Sequence, residues 1–336
     1  MRLSIVIPVF NAAVGDVLRC LNSVFLNTVG VCSTDFEVIC VDDCSTVREG
    51  IEAINNYTVK GVHPENLRLI HHKENRRQGG ARNTGVSHAS GDYIRYLDHD
   101  DLLPDGALRD MMDAILQYDG LDLVVFDFVR GDESGNVVGE VAYSDRLHSR
   151  VVSGGEFMQT QEVPWLPCIY LYRRMYLLEM GNEFVEGVRF EDVDYVLRAV
   201  MYAKKMVYLP KVILIYTINS SQTSTVGNSP EKIRDCHLLF YRIGLLAEEA
   251  VSRGIAGSKE IVDHYIFSVR NYLKSYVWRL PYRMIHALMR DYPPNRSLPI
   301  SGYLRWIGNN PRLFAMVTAC VAPFMQLAYR LYRFRS

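Results

Sequence analysis

Three carboxylates crowd the end of the segment "RYLDHDD", at Asp98, Asp100 and Asp101, directly after a run of strand character. Like charges at this spacing repel one another unless a divalent cation or a donor-rich ligand neutralises them. Hard oxygen ligands with open coordination positions suit Mn2+ or Mg2+ holding a diphosphate. An acidic cluster ahead of the helix expected from residue 105 explains the same spacing in a plainer way. A second acidic pair, Asp42 and Asp43 in "VDDCST", also ends an apolar run. A carboxylate there can accept a hydrogen bond from a base or a ribose, and a capping turn is the alternative. In "QGGARNTG" the glycines let a backbone approach a ligand, and Arg82 supplies a forked cation that matches phosphate. A tight turn carrying a surface arginine fits those residues equally. Glu191 and Asp192 open a helical stretch, where carboxylates favour the positive end of the dipole.

The histidines are poor metal ligands on this reading. On an extended segment His99 faces away from Asp98 and Asp100, and the adjacent His71 and His72 point to opposite faces of their strand.

These residues need strands to carry them to one edge. Residues 3–9 are apolar and largely β-branched, with Pro8 near the far end, and read as a buried parallel strand. Residues 14–26 place Val14, Val17, Leu18, Leu21, Val24 and Phe25 at helical spacing. The unit then repeats: strand "FEVICV", a helix near 51–57, strand "LRLIHH", the loop "KENRRQGGARNTG", and strand "DYIRYL". A helix over 105–118, strand "LDLVVFDFV", a loop-rich stretch over 130–167, helix "FEDVDYVLRAVMYAKK" and strand "MVYLPKVILIYTI" follow. Such alternation predicts an α/β fold, a doubly wound and mostly parallel sheet whose ligand lies beyond the carboxyl ends of the strands. No G-x-G-x-x-G follows the first strand and no Walker A sequence is present, which argues against a dinucleotide fold and a P-loop.

Composition narrows the class further. The chain has 336 residues, 49% of them hydrophobic, and a formal charge of −1, so no nucleic-acid partner is implied. The balance is uneven: residues 282–336 hold eight Arg and one Asp, a charge of +7 that leaves −8 for the rest. Seven cysteines without a C-x-x-C pair read as reduced thiols in a cytoplasmic protein, and the N-terminus has no export signal. Residues 313–329 form a 17-residue uncharged stretch, interrupted by Pro323 and followed by Arg330, Arg333 and Arg335. That pattern suits an interfacial helix on an anionic membrane face, or a helix packed back on the protein.

Taken in order, "SIVIPVFN", "VDDCS", "GGARNTG", "YLDHDD", "LYRRMYL" and "FEDVDYVLRA" resemble the family 2 glycosyltransferases of the GT-A fold, over roughly residues 3–225. The resemblance implies transfer of a sugar, with inversion and with Mn2+ or Mg2+, from a nucleotide-sugar donor of the UDP type. The implied acceptor is a hydroxyl of a glycan or lipid-linked acceptor in surface polysaccharide synthesis. It implies that Pro8 and Phe10 line the base pocket, Asp43 meets the uracil, Arg82 lies near the base or diphosphate, and Asp98 faces the ribose. Asp100 would bind the metal, Asp192 would be the catalytic base, and Glu191 and Trp165 would stand beside the acceptor. The sequence departs from the family after the last strand, where "IYTINSSQTST" offers hydroxyls and amides, among them Ser224, in place of basic residues.

The expected organisation is a GT-A domain over 1–225, with a nucleotide half to about 102 and an acceptor half from about 103, then a helical, basic extension over 226–336. Two other functions compete: a non-catalytic binder of nucleotide sugars or glycans, and a nucleotidyltransferase, whose Gly-rich loop after the first strand is missing.

Overall fold

Leu3–Val9 (β1) is buried at every position, as a strand covered by helices on both faces must be. The computed structural model describes residues 3–118, 120–132, 135–141, 149–160, 162–218 and 229–263. It divides into two compact units, Met1–Val226 and Gly227–Ser336. In the first, Val14–Phe25 (α1) turns Val17, Cys20, Leu21, Val24 and Phe25 inward, the stripe that one helix face presents to a sheet. Phe36–Asp42 (β2), Glu49–Asn55 (α2), Leu67–His71 (β3), Arg77–His88 (α3), Tyr93–Tyr96 (β4) and Ala107–Gln117 (α4) continue the alternation. Leu123–Gly131 (β5), Val137–Val141 (β6), Gly154–Thr160 (α5), Tyr170–Arg173 (β7), Arg174–Met180 (α6), Glu191–Tyr202 (α7) and Met206–Thr217 (β8) complete this unit. The sheet order is β3-β2-β1-β4-β7-β5-β6, with β8 on the other side of β5.

Strands β1 to β4 are mutually parallel, and β5 and β8 are parallel to each other. Strand β7 runs antiparallel to both β4 and β5. The expected mostly parallel α/β sheet is therefore present, with a reversal at β7. That reversal is hard to read in a four-residue strand without alternation, since all that marks it is its neighbours. The loop-rich stretch expected over 130–167 also contains the helix α5.

The larger departure is α3. The stretch "KENRRQGGARNTG", residues 73–85, is expected to be a loop, but residues 77–88 are not one. They form a helix that packs against β1 and β2, and the glycines set how close it comes. A Cβ on Gly85 would lie 2.2 Å from Val6 Cγ1, and one on Gly79 would lie 2.7 Å from the Val185 carbonyl oxygen. Gly85 thus permits close packing on β1, and Gly79 permits it on the loop at Phe184 and Val185.

In the second unit, Pro230–Ser252 (α8) begins with Ser229 Oγ accepting from Lys232 N and Pro230 in the first turn, the usual start signals. Residues 264–336, including the uncharged stretch and the arginines after it, and Ser224 with them, lie outside the described residues. Among the described residues no helix is long and apolar enough to cross a membrane.

Gly85→Ala is expected to lower stability by about 1–3 kcal/mol, because a β-branched strand residue cannot yield 1 Å without strain. A denaturant titration reads the effect as a lower midpoint with an unchanged slope.

Candidate active site

Parallel register brings the acidic strand ends level. Val9 pairs with Asp42, Asp42 with His71, and Val6 with Tyr96, so the residues that follow β1, β2 and β4 emerge at one edge of the sheet. Asn11 fastens two of these ends: its Oδ1 accepts from Thr46 N at 2.8 Å and Val47 N at 3.0 Å, while its own N–H donates to Ser45 Oγ. Asn11 has φ of 47° and Cys44 of 64°, so the chain turns sharply at both places. Pro8 is buried in β1, its carbonyl oxygen 3.1 Å from His99 Nδ1, and Phe10 stands 44% exposed just beyond the strand. His99 thus reaches back to the backbone of β1, away from its acidic neighbours.

Arg82, on α3, is the centre of the site. Its Nη2 donates to Asp98 Oδ1 at 2.8 Å and its Nη1 to Glu191 Oε1 at 3.1 Å, with the side chain almost wholly buried. Its guanidinium carbon also lies 5.1 Å from the Phe184 ring centre and 5.9 Å from that of Tyr96. Gln78 Nε2 adds a second donor to Asp98 at 2.7 Å. Two arms of the fork meet carboxylates, while Nε has no hydrogen-bond partner among the described residues. The physical reason is burial: a guanidinium inside protein needs opposite charge beside it. Arg82 therefore joins the end of β4 to the first turn of α7.

The three acids after β4 have three different surroundings. Asp98 is held by Arg82 and Gln78. Asp101 is buried, and its Oδ1 accepts from Thr217 N at 2.8 Å while Oδ2 has no hydrogen-bond partner. Burial, then the neighbouring Asp98 and Asp100, push its carboxyl well above the usual range. Behind it lies Arg95, wholly buried on β4, donating to the carbonyl oxygens of Tyr96 and Ile213. Burial lowers the Arg95 guanidinium, and the acids Asp101 and Asp98 oppose that shift. The sequence signal for Arg95 is a charged residue at the centre of an apolar strand, next to an acid triplet. Asp100 is half-buried between the other two.

Among the described residues no group of three or more potential ligands converges on a metal position. Mg2+ is commonly held by one or two carboxylates together with substrate phosphates and water. With Asp98 bound to a cation and Asp101 turned to the core, an oxygen-only set centred on Asp100 fits that mode of binding and does not fit a closed protein cage.

Asp43 is buried and accepts at Oδ1 from the backbone N–H of Arg76, 2.8 Å away. His72 Nδ1 lies 2.8 Å from the same oxygen. The opposite faces expected for His71 and His72 are seen as separate partners: His71 Nδ1 meets Asp42 Oδ2 at 2.9 Å.

At the start of α7, Phe190 takes φ of 63° and turns the chain so that Glu191 is buried and Asp192 half-buried. Burial pushes the Glu191 carboxyl up to about 7, against the opposing pull of Arg82. Asp192 next door and Asp98 push in the same direction as burial. Burial also raises the Asp192 carboxyl. Trp165 is half-buried two residues before a single 3-10 turn, Pro167–Ile169, that packs against β4 and α7.

Residues 4–162 match the family model described as Glycosyl transferase family 2. Glycosyltransferase GlyA of Streptococcus pneumoniae is 24% identical over 254 residues, 73% of this chain and 35% of that protein. Poly(ribitol-phosphate) beta-glucosyltransferase of Bacillus spizizenii is 38% identical over 110 residues, 32% of this chain and 16% of that protein. The chain thus spans about a third or less of the length of these two relatives. The crystal structure of Staphylococcus aureus TarS 1–349 in complex with UDP-GlcNAc superposes with a TM-score of 0.69 at 19% identity, over 98% of this chain and 92% of that one. The fold is that of the GT-A class. Over residues 4–162 the chain is similar to glycosyltransferase family 2.

Glu191 carries a testable consequence. With its pKa raised from 4.5 to about 7, the folded state keeps a proton that the unfolded chain releases, so stability falls as pH rises through that window. Chemical denaturation at pH 4.5 and at pH 7 is expected to show this decline, and Glu191→Gln, which stays neutral, to reduce it.

Proposed function

We propose that this protein is an inverting glycosyltransferase that moves a sugar from a UDP-linked donor to a hydroxyl of a glycan or lipid-linked acceptor in surface polysaccharide synthesis. One observation carries the reading: Arg82 ties Asp98, on the strand-end side, to the Glu191 and Asp192 pair at the start of α7. A donor subsite and a proton acceptor are thereby held in one rigid unit. The family match supports the reaction class, the TarS complex with UDP-GlcNAc supports the donor type, and the poly(ribitol-phosphate) glucosyltransferase supports a polymeric acceptor.

On this reading Pro8 and Phe10 bound the base, Asp43 accepts from it, and Asp98 faces the ribose with Arg82 fixing its carboxylate. Asp100 would hold Mn2+ or Mg2+, which when bound supplies positive charge to the diphosphate as it leaves. The acceptor lies against Trp165 and Glu191. A sugar hydroxyl is a weak nucleophile, so a carboxylate must take its proton as its oxygen attacks the anomeric carbon. Two adjacent acids with different burial divide that work: the more buried Glu191 keeps a proton and the half-buried Asp192 serves as the base. Attack from the face opposite the diphosphate inverts the centre. The working domain corresponds to residues 1–225, with a basic helical extension after it. Unpaired cysteines among the described residues suit a cytoplasmic site of action, and contact with an anionic membrane rests on residues 313–335.

A panel of nucleotide sugars, scored for nucleoside diphosphate release, tests the reading. Asp192→Asn is expected to lose turnover by about 10²–10⁴-fold while donor affinity survives; full activity in this variant removes Asp192 from the role. Chelation with EDTA is expected to abolish release, and added Mn2+ or Mg2+ to restore it. Activity unaffected by stringent chelation would exclude the metal.

A further inference from the structure

His72 is buried between two polar side chains that the reaction chemistry leaves unexplained. Its Nδ1 lies 2.8 Å from Asp43 Oδ1 and its Nε2 lies 2.8 Å from Thr84 Oγ1. Thr84 Oγ1 in turn accepts from Arg76 Nη1 at 3.2 Å. Arg76 can only donate, and Asp43 Oδ1 already accepts from Arg76 N. Those two ends set the outer bonds: Thr84 Oγ1 accepts from Arg76, and His72 Nδ1 donates to Asp43, since a carboxylate oxygen only accepts. Between them, Thr84 Oγ1 and His72 Nε2 share the middle bond. Arg76 is anchored at its far side by Glu186, through Nε at 2.8 Å and Nη2 at 2.5 Å. Glu186 belongs to the loop that leads into α7, and Gly187 N donates to Arg76 O at 3.0 Å.

We infer that His72 and Thr84 are positioning residues for the nucleotide subsite: they orient the Asp43 carboxylate by a hydrogen-bond chain that starts on Arg76. Both contacts of Asp43 fall on Oδ1, so the chain fixes the rotation of the carboxylate and with it the direction of Oδ2. The exposed analogue makes the contrast. His71 pairs with Asp42 but its side chain is 46% exposed, whereas that of His72 is 6% exposed, and an orienting bond needs exclusion of competing water. The inference rests on the role proposed for Asp43 in meeting the base.

The experiment measures affinity for UDP by calorimetry in the full chain, with thermal melting as the control for folding. His72→Phe keeps a ring but removes the donor, and it is expected to weaken UDP binding about tenfold or more, as loss of a hydrogen bond to a charged group does. His72→Asn places a side-chain N–H near the position of Nδ1 and is expected to recover most of that loss. Thr84→Val, which leaves the imidazole but removes the hydroxyl, is expected to fall between wild type and His72→Phe. Nitrogen NMR of wild type should find His72 protonated on Nδ1. Wild-type UDP affinity in folded His72→Phe or Thr84→Val would overturn the inference, as would an equal loss in His72→Asn and His72→Phe, or the opposite tautomer. Failure of the wild type to bind UDP at all is a different result, and it would bring down the donor reading on which the inference stands.

Discussion

The site depends on one buried cation. Arg82 sits on a helix made close to the sheet by glycines, and each arm of its fork meets a carboxylate from a different part of the chain, 16 residues away at Asp98 and 109 residues away at Glu191. A guanidinium removed from water is tolerable only with such partners, and removing one member of a buried pair typically costs about 3–5 kcal/mol. That cost makes the arrangement stiff. It also makes the acids interdependent, because a single positive charge cannot neutralise Asp98, Glu191 and Asp192 together. Proton sharing within the pair on α7 follows from this deficit.

Around that cation the fold supplies two further clamps. The chain after β4 returns onto β8, where Leu102 and Ile215 exchange backbone hydrogen bonds and Asp101 accepts from Thr217 N. Arg95 lies beneath, its charge set against the acids above it. On the other side, Asn11 and Ser45 lock the turns after β1 and β2 together. The ends of β1 and β2, and those of β4 and β8, are thus cross-linked in pairs by side chains, which is what a site needs if small displacements are to matter to catalysis. The aromatic group beneath Arg82 completes the support: Tyr96 and Tyr195 share a hydroxyl contact of 2.7 Å, and the Phe184 ring stacks on Tyr195.

Acids of the same motif end up with different work because their surroundings differ. Asp98 is paired with a cation, Asp101 faces the core, and Asp100 stays between them. A triplet that looks uniform in sequence becomes one held carboxylate, one buried carboxyl and one candidate metal ligand. The same holds for the adjacent histidines, one half exposed against Asp42 and one buried against Asp43.

Residue pattern alone determined much of this protein: the buried strand β1, the alternation into a mostly parallel sheet, the acidic strand ends, and the family to which they point. Those features are local or periodic, so one stretch of chain carries the whole signal. Tertiary structure alone decided that "RQGGARNTG" is helical, since close packing on Val6 outweighs the poor helix propensity of glycine. It also decided that β7 is reversed, that Arg82 grips two carboxylates, and that His72 reaches Asp43 and Thr84 at once. Partner choice across many tens of residues is set by burial, which excludes water and leaves each polar group only the neighbours that the fold brings to it.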